Sequence, residues 1–241
     1  MIFNLYKTII SLILWPIWFM YLIIILPILL IYIFLFNKKY YHYLIRLVSY
    51  LFCFFGGQLV KVSGKVPNSM EGPYLYLINH QSLFDHFVIG SCLKHYVSAV
   101  AKEEQFKYPL WGHVAKAYGI TPINRLDINK AINSLKNVEQ EILKNKISFL
   151  IAPEGTRTID GNLKEFKKGA FHVAKNTNVK IVPVIINGSY KAKNKSDWRI
   201  TPGVIKIHFS KVIHKDVYAD MDVQQLKFYV TNKFKKYLGL V

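Results

Sequence analysis

The feature that most constrains this chain is a long apolar stretch near its start. No charged residue occurs between Lys7 and Lys38, and residues 9–36 are rich in Ile, Leu, Trp and Tyr. As an α-helix this stretch would be roughly 42 Å long, against about 30 Å for the hydrocarbon core of a bilayer. It is therefore long enough to cross a membrane at a tilt, or to bend at Pro16 or Pro27. Apolar side chains all round the helix favour contact with lipid over a protein core, and the stretch is too long for a signal peptide.

A second apolar stretch, residues 40–59, contains a single charged residue, Arg46. Its length and its charge suit an interfacial or re-entrant helix better than a second full span. Residues 1–70 contain six Lys or Arg and no Asp or Glu, and five of the six follow the first apolar stretch. The positive-inside rule then predicts that everything after that stretch lies on the cytoplasmic side of a membrane. Basic residues near anionic headgroups contribute about 1 kcal/mol each to membrane binding.

The rest of the chain predicts an α/β domain. Turn-forming residues cluster at 63–68, so we divide the chain into N-terminal membrane-associated helices, residues 1–62, and an α/β domain, residues 63–241. Strand-like and helical segments then alternate, which predicts a mixed sheet flanked by helices and preceded by an N-terminal helical membrane element. The predicted strands are 74–78, 97–101, 120–124, 147–152, 181–186 and 204–209, and the predicted helices are 108–118, 128–143, 168–175 and 223–238.

A polar turn after the first of these strands carries the strongest chemical pattern. The segment Asn-His-Gln-Ser-Leu-Phe-Asp, residues 79–85, places His80 five residues before Asp85, where apolar residues resume as a helix start. In such a turn the imidazole can fold back onto the carboxylate. One ring nitrogen would then be held by Asp85, and the other could take a proton from a hydroxyl. The alternative is that Asp85 only caps the helix and His80 is an ordinary polar residue.

Two further predicted strand ends carry polar residues of a compatible kind. Arg125 follows one strand, and Pro153-Glu154-Gly155-Thr156-Arg157 follow another. Ligands of open α/β sheets gather outside the carboxyl ends of strands, and Arg binds phosphate through two parallel hydrogen bonds. A His–Asp pair beside such residues suits a substrate that has both a hydroxyl and a phosphate. Most of the 32 Lys and Arg are nonetheless expected to be solvated surface charges.

Four segments in order resemble the sequence blocks of the glycerolipid acyltransferase family. They are Asn-His-Gln-Ser-x-x-Asp at 79–85, Gly-x-x-Pro-Ile-Asn-Arg at 119–125, Pro-Glu-Gly-Thr-Arg at 153–157, and Val-Pro-Val at 182–184. The resemblance is strongest to 1-acylglycerol-3-phosphate acyltransferases and extends over roughly residues 73–190. It implies an α/β fold with an N-terminal helical membrane motif.

The resemblance also implies roles for individual residues. His80 matches the family's general base, and Asp85 matches the carboxylate that orients it. The family's substrate-binding positions correspond to Lys102, Arg125, Glu154, Gly155, Thr156 and Arg157; the first, second and last are implied to bind phosphate, and Glu154 with Gly155 to position the glycerol acceptor. Two positions depart from the usual pattern, since Asn124 stands where the family often has Asp and Ala152 where it often has Phe.

The function that follows is transfer of an acyl group from a thioester to the sn-2 hydroxyl of 1-acylglycerol-3-phosphate, which gives phosphatidic acid. The donor is an acyl carrier protein or coenzyme A thioester, no cofactor and no metal are expected, and membrane lipids are the other partners. Two alternatives stay open: an acyltransferase for another lysophospholipid or a lyso-aminolipid, and a non-catalytic basic protein that binds membranes. Nucleic-acid binding is not expected, because the net charge of +18 is explained equally well by anionic lipid and no binding module is recognisable.

Overall fold

A computed structural model describes residues 2–240 and contains nine α-helices and seven strands within that range. The helices are α1 (Ile2–Leu35), α2 (Tyr41–Phe55), α3 (Asp85–Gly90), α4 (Trp111–Tyr118), α5 (Ile128–Asn145), α6 (Gly169–Thr177), α7 (Ser189–Ala192), α8 (Lys215–Tyr218) and α9 (Val223–Leu238). The strands are β1 (Gln58–Gly64), β2 (Tyr74–Ile78), β3 (Val97–Lys102), β4 (Thr121–Ile123), β5 (Ser148–Ile151), β6 (Lys180–Asn187) and β7 (Gly203–Phe209). Short 3-10 turns lie at Lys38–Tyr40, Ser69–Glu71 and Glu103–Lys107.

The described strands form one mixed sheet, in the order β1-β7-β6-β2-β5-β3-β4. The last five of these are parallel to one another, whereas β7 runs antiparallel to β6 and β1 runs parallel to β7. The carboxyl ends of β2, β5, β3 and β4 therefore meet at one edge of the sheet. The predicted mixed sheet flanked by helices is confirmed.

Helices cover both faces of the sheet, and the central strand shows why. All five residues of β2 are buried. Tyr76 and Ile78 point into a core shared with the N-terminal helices and α3, while Leu75 and Leu77 point into a second core shared with α5, α6 and α9. Successive side chains of a strand point to opposite faces, so a strand covered on both sides is apolar throughout. This is why the segment lacks the alternation of a half-exposed strand.

The N-terminal helices pack onto the sheet domain and are part of its first core. Trp18 of α1 is buried, and its ring stacks on Phe52 of α2 with 4.3 Å between ring centroids. Trp18 also lies 5.0 Å from the ring of Phe84, just before α3, and its indole N–H donates to the carbonyl of Phe52 at 3.1 Å. The two helices and the start of α3 are thereby held together.

One side of α1 is buried along most of its length. Its buried residues are Ser11, Trp18, Leu26, Leu29 and Ile33. Near its amino end, Ser11 Oγ accepts from the amide of Ile200 at 2.8 Å, and Trp15 Nε1 donates to the carbonyl of Trp198 at 3.0 Å. Most of its other apolar side chains are exposed. Within the described residues α1 is the one helix long and apolar enough to cross a membrane, with a mean hydropathy of 2.7.

Strand β1 was not predicted from the sequence. The second apolar stretch ends as a helix at Phe55, a turn follows in which Gly57 has φ +70°, and β1 then runs from Gln58 to Gly64. The strand pairs with β7 and crosses the boundary that we placed between residues 62 and 63. The amino-terminal segment and the α/β domain therefore share a strand as well as a core.

Smaller differences concern the ends of elements. The helix predicted at 108–118 begins only at Trp111, because Leu110 has a positive φ of 58° and Pro109 precedes it. Helix α5 begins with a side-chain cap, since Asp127 accepts from the amide of Lys130 at 3.0 Å. The apolar side of α5 is buried only in part, since Ile128 is 78% exposed. Helices α7 and α8, each of four residues, were not predicted.

Candidate active site

The turn that follows β2 is held between its neighbours by its own backbone and by one amide side chain. Asn79 bonds both backbone groups of Ile186 in β6: Nδ2 donates to the carbonyl at 2.8 Å, and Oδ1 accepts from the amide at 2.8 Å. The carbonyl of His80 accepts from the amide of Thr158, beyond β5, at 2.9 Å. The backbone on either side of the His80 side chain is therefore fixed by hydrogen bonds to β6 and to the segment after β5.

A single oxygen atom of Asp85 binds three groups of the turn. Its Oδ2 lies 2.8 Å from His80 Nδ1 and accepts from the amides of Gln81 and Ser82 at 2.7 and 2.8 Å. The carboxylate is fully buried. Because a carboxylate oxygen only accepts, His80 Nδ1 carries the proton, and Nε2 is left with a lone pair. The His80 side chain is 10% exposed, so that nitrogen borders the solvent-accessible space of the site.

Glu154 lies beneath this turn rather than beside it. It is only 3% exposed, and both carboxylate oxygens are engaged: Oε1 accepts from the amide of His80 at 2.7 Å and Oε2 from the amide of Lys164 at 3.1 Å. Burial raises the pKa of Glu154 to about 7, although the two amide donors act in the opposite direction. In this structure both carboxylate oxygens of Glu154 hold backbone amides, and one of these is the amide of His80.

The three cationic residues expected at the site do not have equal surroundings. Arg125 is partly buried, and this burial, with the nearby charge of Arg157, lowers the pKa of Arg125. The same two guanidinium groups act electrostatically on His86, next to Asp85. Lys102 instead pairs with the half-exposed Glu104, with 3.1 Å between Nζ and Oε1. Arg125 and Arg157 are thus near enough to interact with each other and with His86, whereas Lys102 is half exposed and paired with Glu104.

Asn124, the first departure from the family pattern, has a structural role here. Its Oδ1 accepts from the amides of Leu126 and Asp127 at 3.0 and 3.1 Å, and its Nδ2 donates to Glu103 Oε2 at 2.8 Å. A side chain that bonds amides two and three residues on stabilises a turn. The amide therefore holds the loop that carries Arg125, although it brings no charge.

Gly155 and Thr156 lie in the turn after β5. Gly155 has φ +73°, a conformation that residues with a Cβ rarely adopt. Its amide donates to the carbonyl of Ala152 at 3.0 Å, and a Cβ at this position would approach the aliphatic part of Lys167 at 3.1 Å. Gly155 and the half-buried Thr156 thus form a tight turn directly before Arg157, with no side chain at position 155.

An apolar cavity of about 450 Å³ opens beside the His–Asp pair. Side chains from α1, α2, α3, α4, β3 and β5 line it, among them Trp18, Leu22, Leu26, Val48, Phe52, Phe87, Val97, Val114 and Leu150. His86 also lines the cavity, and its ring centroid is 5.1 Å from that of His80. The volume lies within the roughly 300–1,000 Å³ typical of small-molecule sites. The His–Asp pair is thus close to an apolar compartment, and the two arginines act on His86 at the edge of that compartment.

The sequence reasoning missed both the cavity and His86. The cavity is formed by helices that the sequence assigned to a separate membrane part, so no local pattern marks it. His86 directly follows Asp85, and a single histidine with no partner at a recognisable spacing carries no chemical signal in the sequence.

Comparison with known proteins gives the class of this protein. Residues 59–187 match the model of a family described as Acyltransferase, which is more than half of the chain. The chain belongs to this acyltransferase family.

Named relatives are consistent with that assignment. The chain is 34% identical over 156 residues to a 1-acyl-sn-glycerol-3-phosphate acyltransferase of Cocos nucifera, over 65% of this chain and 50% of that protein. It is 31% identical over 182 residues to a chloroplastic 1-acyl-sn-glycerol-3-phosphate acyltransferase of Arabidopsis thaliana, over 74% of this chain and 50% of that protein. The chain thus matches about half the length of these curated relatives.

A solved structure extends the likeness to the whole fold. The crystal structure of PlsC, the 1-acyl-sn-glycerophosphate acyltransferase of Thermotoga maritima, superimposes with a TM-score of 0.84 at 24% identity. The match covers 97% of this chain and 96% of that one. The shared fold therefore includes the amino-terminal helices as well as the sheet.

Proposed function

We propose that this protein transfers an acyl group from a thioester to the sn-2 hydroxyl of 1-acylglycerol-3-phosphate and so forms phosphatidic acid. The observation that carries the proposal is His80, whose Nδ1 is held by Asp85 and whose neighbour His86 both lines an apolar cavity and interacts electrostatically with Arg125 and Arg157. A phosphate on one side and an acyl chain on the other are the two ligands that such surroundings favour. The names of the relatives agree with this substrate.

In the proposed reaction His80 acts as the general base. Its Nε2 takes the proton of the acceptor hydroxyl as that oxygen attacks the thioester carbonyl carbon. The tetrahedral intermediate then collapses, the C–S bond breaks, and the imidazolium returns its proton to the leaving thiolate. Atoms and protons balance with donor, acceptor and His80 alone, so the reaction as written requires no cofactor. General-base assistance contributes about 10²–10⁴-fold, and positioning by the site adds to it.

The other site residues divide between the two substrates. Arg125 and Arg157 bind the phosphate of the acceptor, with Lys102 at the outer margin. The backbone of Gly155 and the side chain of Thr156 lie where the glycerol would pass toward His80. Glu154 acts indirectly, because its carboxylate is occupied by the amides that fix the turn. The apolar cavity holds the acyl chain of the donor.

We further propose that residues 1–62 associate with the membrane and that residues 63–241 carry the chemistry, on the cytoplasmic face. The buried side of α1 extends from Ser11 to Ile33, roughly 33 Å of helix, so the domain lies alongside nearly the whole helix. A helix covered over that length has one side left for lipid, which favours a position along the membrane surface over a perpendicular span. Lys38, Lys39 and Arg46 follow α1 and suit anionic headgroups.

A labelled-thioester assay on the full chain in anionic nanodiscs tests the proposal. The donor is a radiolabelled acyl thioester, supplied once on coenzyme A and once on acyl carrier protein. The acceptors are lysophosphatidate, two lysophospholipids with larger headgroups, and a lyso-aminolipid. We expect the highest kcat/KM with lysophosphatidate, and loss of transfer in His80→Ala.

Two results would contradict the proposal. Faster acylation of any acceptor on the panel other than lysophosphatidate would assign the enzyme to another lysolipid. Membrane binding without transfer to any acceptor would instead identify a non-catalytic membrane protein.

A further inference from the structure

His86 occupies an unusual place for a histidine. It lies in the first turn of α3, directly after Asp85, and lines the apolar cavity. The residues around it, Phe84, Asp85, Val88 and Ile89, are buried, whereas His86 is exposed and borders the cavity. Its ring centroid is 5.1 Å from that of His80. The imidazole therefore stands where the cavity meets the catalytic pair.

The ring nitrogens of His86 are not used by the protein. Among residues 2–240 no protein group is hydrogen-bonded to this ring, whereas His80 is bonded to Asp85, and His95 to Tyr76 and Ser148. The geometry thus leaves a donor at the mouth of the cavity with no protein acceptor.

The charge state of His86 is set by the groups that face it. Desolvation by the surrounding protein lowers the pKa of His86 to about 4, and the neighbouring His80, Arg125 and Arg157 act in the same direction, while Asp85 opposes them. Near neutral pH the ring is uncharged and carries one N–H. It can donate a hydrogen bond, but it does not place a second positive charge beside the imidazolium that forms on His80.

We propose that His86 is a catalytic residue that donates a hydrogen bond to the carbonyl oxygen of the acyl thioester as that oxygen becomes an oxyanion. This inference rests on the proposed function, because it needs an acyl chain in the cavity and a hydroxyl at His80. With the chain in the cavity and the attacking oxygen at His80 Nε2, the carbonyl group lies at the junction of the two. His86 borders the cavity next to His80 and has an N–H that no described protein group accepts.

The magnitude follows from what such donors contribute elsewhere. Removal of one oxyanion donor from a protease site lowers kcat by about 10²–10³-fold. The donor here is neutral and belongs to a site whose arginines also favour negative charge, so we expect a loss of roughly 10- to 100-fold in kcat. The Michaelis constants of donor and acceptor should change little, because the bond strengthens only as charge develops.

Steady-state kinetics of four proteins in nanodiscs test the proposal: wild type, His86→Leu, His86→Gln and the control His214→Leu. His214 is exposed and lies at the opposite edge of the sheet, next to Ile213, which pairs with the amino end of β6. We expect His86→Leu to lose at least tenfold in kcat, and His86→Gln, which keeps an N–H donor, to recover most of it. The control should match wild type.

The pH profile separates a donor from a residue that only tunes its neighbour. A donor leaves the midpoint of the acidic limb of kcat/KM unchanged, whereas a residue that acts through His80 would shift it. The proposal is overturned if His86→Leu keeps kcat within twofold of wild type, if His86→Gln is as slow as His86→Leu, or if the midpoint moves with the substitution.

A measurement without acceptor keeps this inference distinct from the choice of lysolipid. Difference infrared spectra of palmitoyl-coenzyme A labelled with ¹³C at the carbonyl report the hydrogen bond directly, since such a bond lowers the C=O stretching frequency. We expect a lowered frequency for the bound donor in wild type and His86→Gln, and its return to the free value in His86→Leu. A bound donor with an unshifted carbonyl in wild type would refute the donor role even if lysophosphatidate proves to be the acceptor.

Discussion

Replacement of Asp85 by Asn should leave the enzyme more active than replacement of the histidine that it holds. Three donors converge on one oxygen of Asp85: His80 Nδ1 and the amides of Gln81 and Ser82. The two amides belong to a fixed turn and can be satisfied only by an acceptor. They therefore select the orientation of the new side chain in which its oxygen replaces Oδ2. In that orientation His80 still donates from Nδ1, so the active tautomer is retained.

The expected loss comes from charge alone. A hydrogen bond to a charged partner contributes about 1.5–3 kcal/mol, against about 0.5–1.5 kcal/mol for a neutral one. The imidazolium formed in the transition state would thus lose about 1–2.5 kcal/mol of stabilisation, which is roughly 5- to 70-fold in rate. Asp85→Ala removes the anchor altogether and should approach His80→Ala, for which about 10²–10⁴-fold is expected.

The folded protein should also lose stability in Asp85→Asn. Asp85 Oδ1 is buried and, among the described residues, has no hydrogen-bond partner. The amide nitrogen would take that place as an unsatisfied donor, at a cost of about 1–3 kcal/mol. The assay is acyl transfer by Asp85→Asn, Asp85→Ala and His80→Ala, with thermal unfolding in detergent measured alongside. A folded Asp85→Asn enzyme as inactive as His80→Ala would show that the two amides do not orient the side chain.

Two other substitutions test different parts of the site. Arg125→Ala should raise the KM for lysophosphatidate at least tenfold and leave the KM for the thioester within twofold, because Arg125 is assigned to the phosphate. Initial rates at varied donor and acceptor concentrations measure both constants. A rise confined to the thioester KM would instead place Arg125 at the donor site. Glu154→Gln should flatten the pH dependence of the free energy of unfolding. The pKa of Glu154 is about 7 in the folded protein against an ordinary 4.5, so the carboxyl group ionises less readily in the folded state. Wild type should therefore lose up to about 3 kcal/mol of stability as the pH rises from about 4.5 through 7. Melting temperatures at pH 5 and pH 8 in detergent check this, and equal slopes in the two proteins would show that burial does not control the carboxyl group.

The sequence predicted the site where a local pattern and the fold agree. Strand β2 and helix α9 were predicted with their observed bounds, because one is a continuous apolar run and the other has helical spacing between Asp222 and Gly239. The contact between His80 and Asp85 follows from a five-residue spacing across a strand-to-helix turn. The electrostatic interaction between Arg125 and Arg157 follows from the parallel arrangement of the strands before them.

What the sequence did not reveal depends on long-range packing. Strand β1 is an edge strand in which only Gln58 is buried, and it follows an apolar helix without a polar break, so its pattern resembles the end of that helix. Glu154 lies in a segment shared with substrate-binding residues, and only its contacts with distant backbone amides distinguish its role. The cavity requires α1 and α2 to be placed on the sheet domain, and no residue pattern within either helix specifies that contact.

In the proposed reaction, the firm attachment of α1 to the domain determines which leaflet receives the product. Since the helix is packed against the sheet domain from Ser11 to Ile33, the catalytic pair cannot move on a flexible tether between the two surfaces of a bilayer. In the proposed reaction at a membrane surface, every turnover then converts a single-chain lipid into a double-chain lipid within the one leaflet that holds the protein. The area of that leaflet grows and the opposite one does not. Sustained synthesis would therefore curve the membrane unless lipid crosses to the other side at a comparable rate.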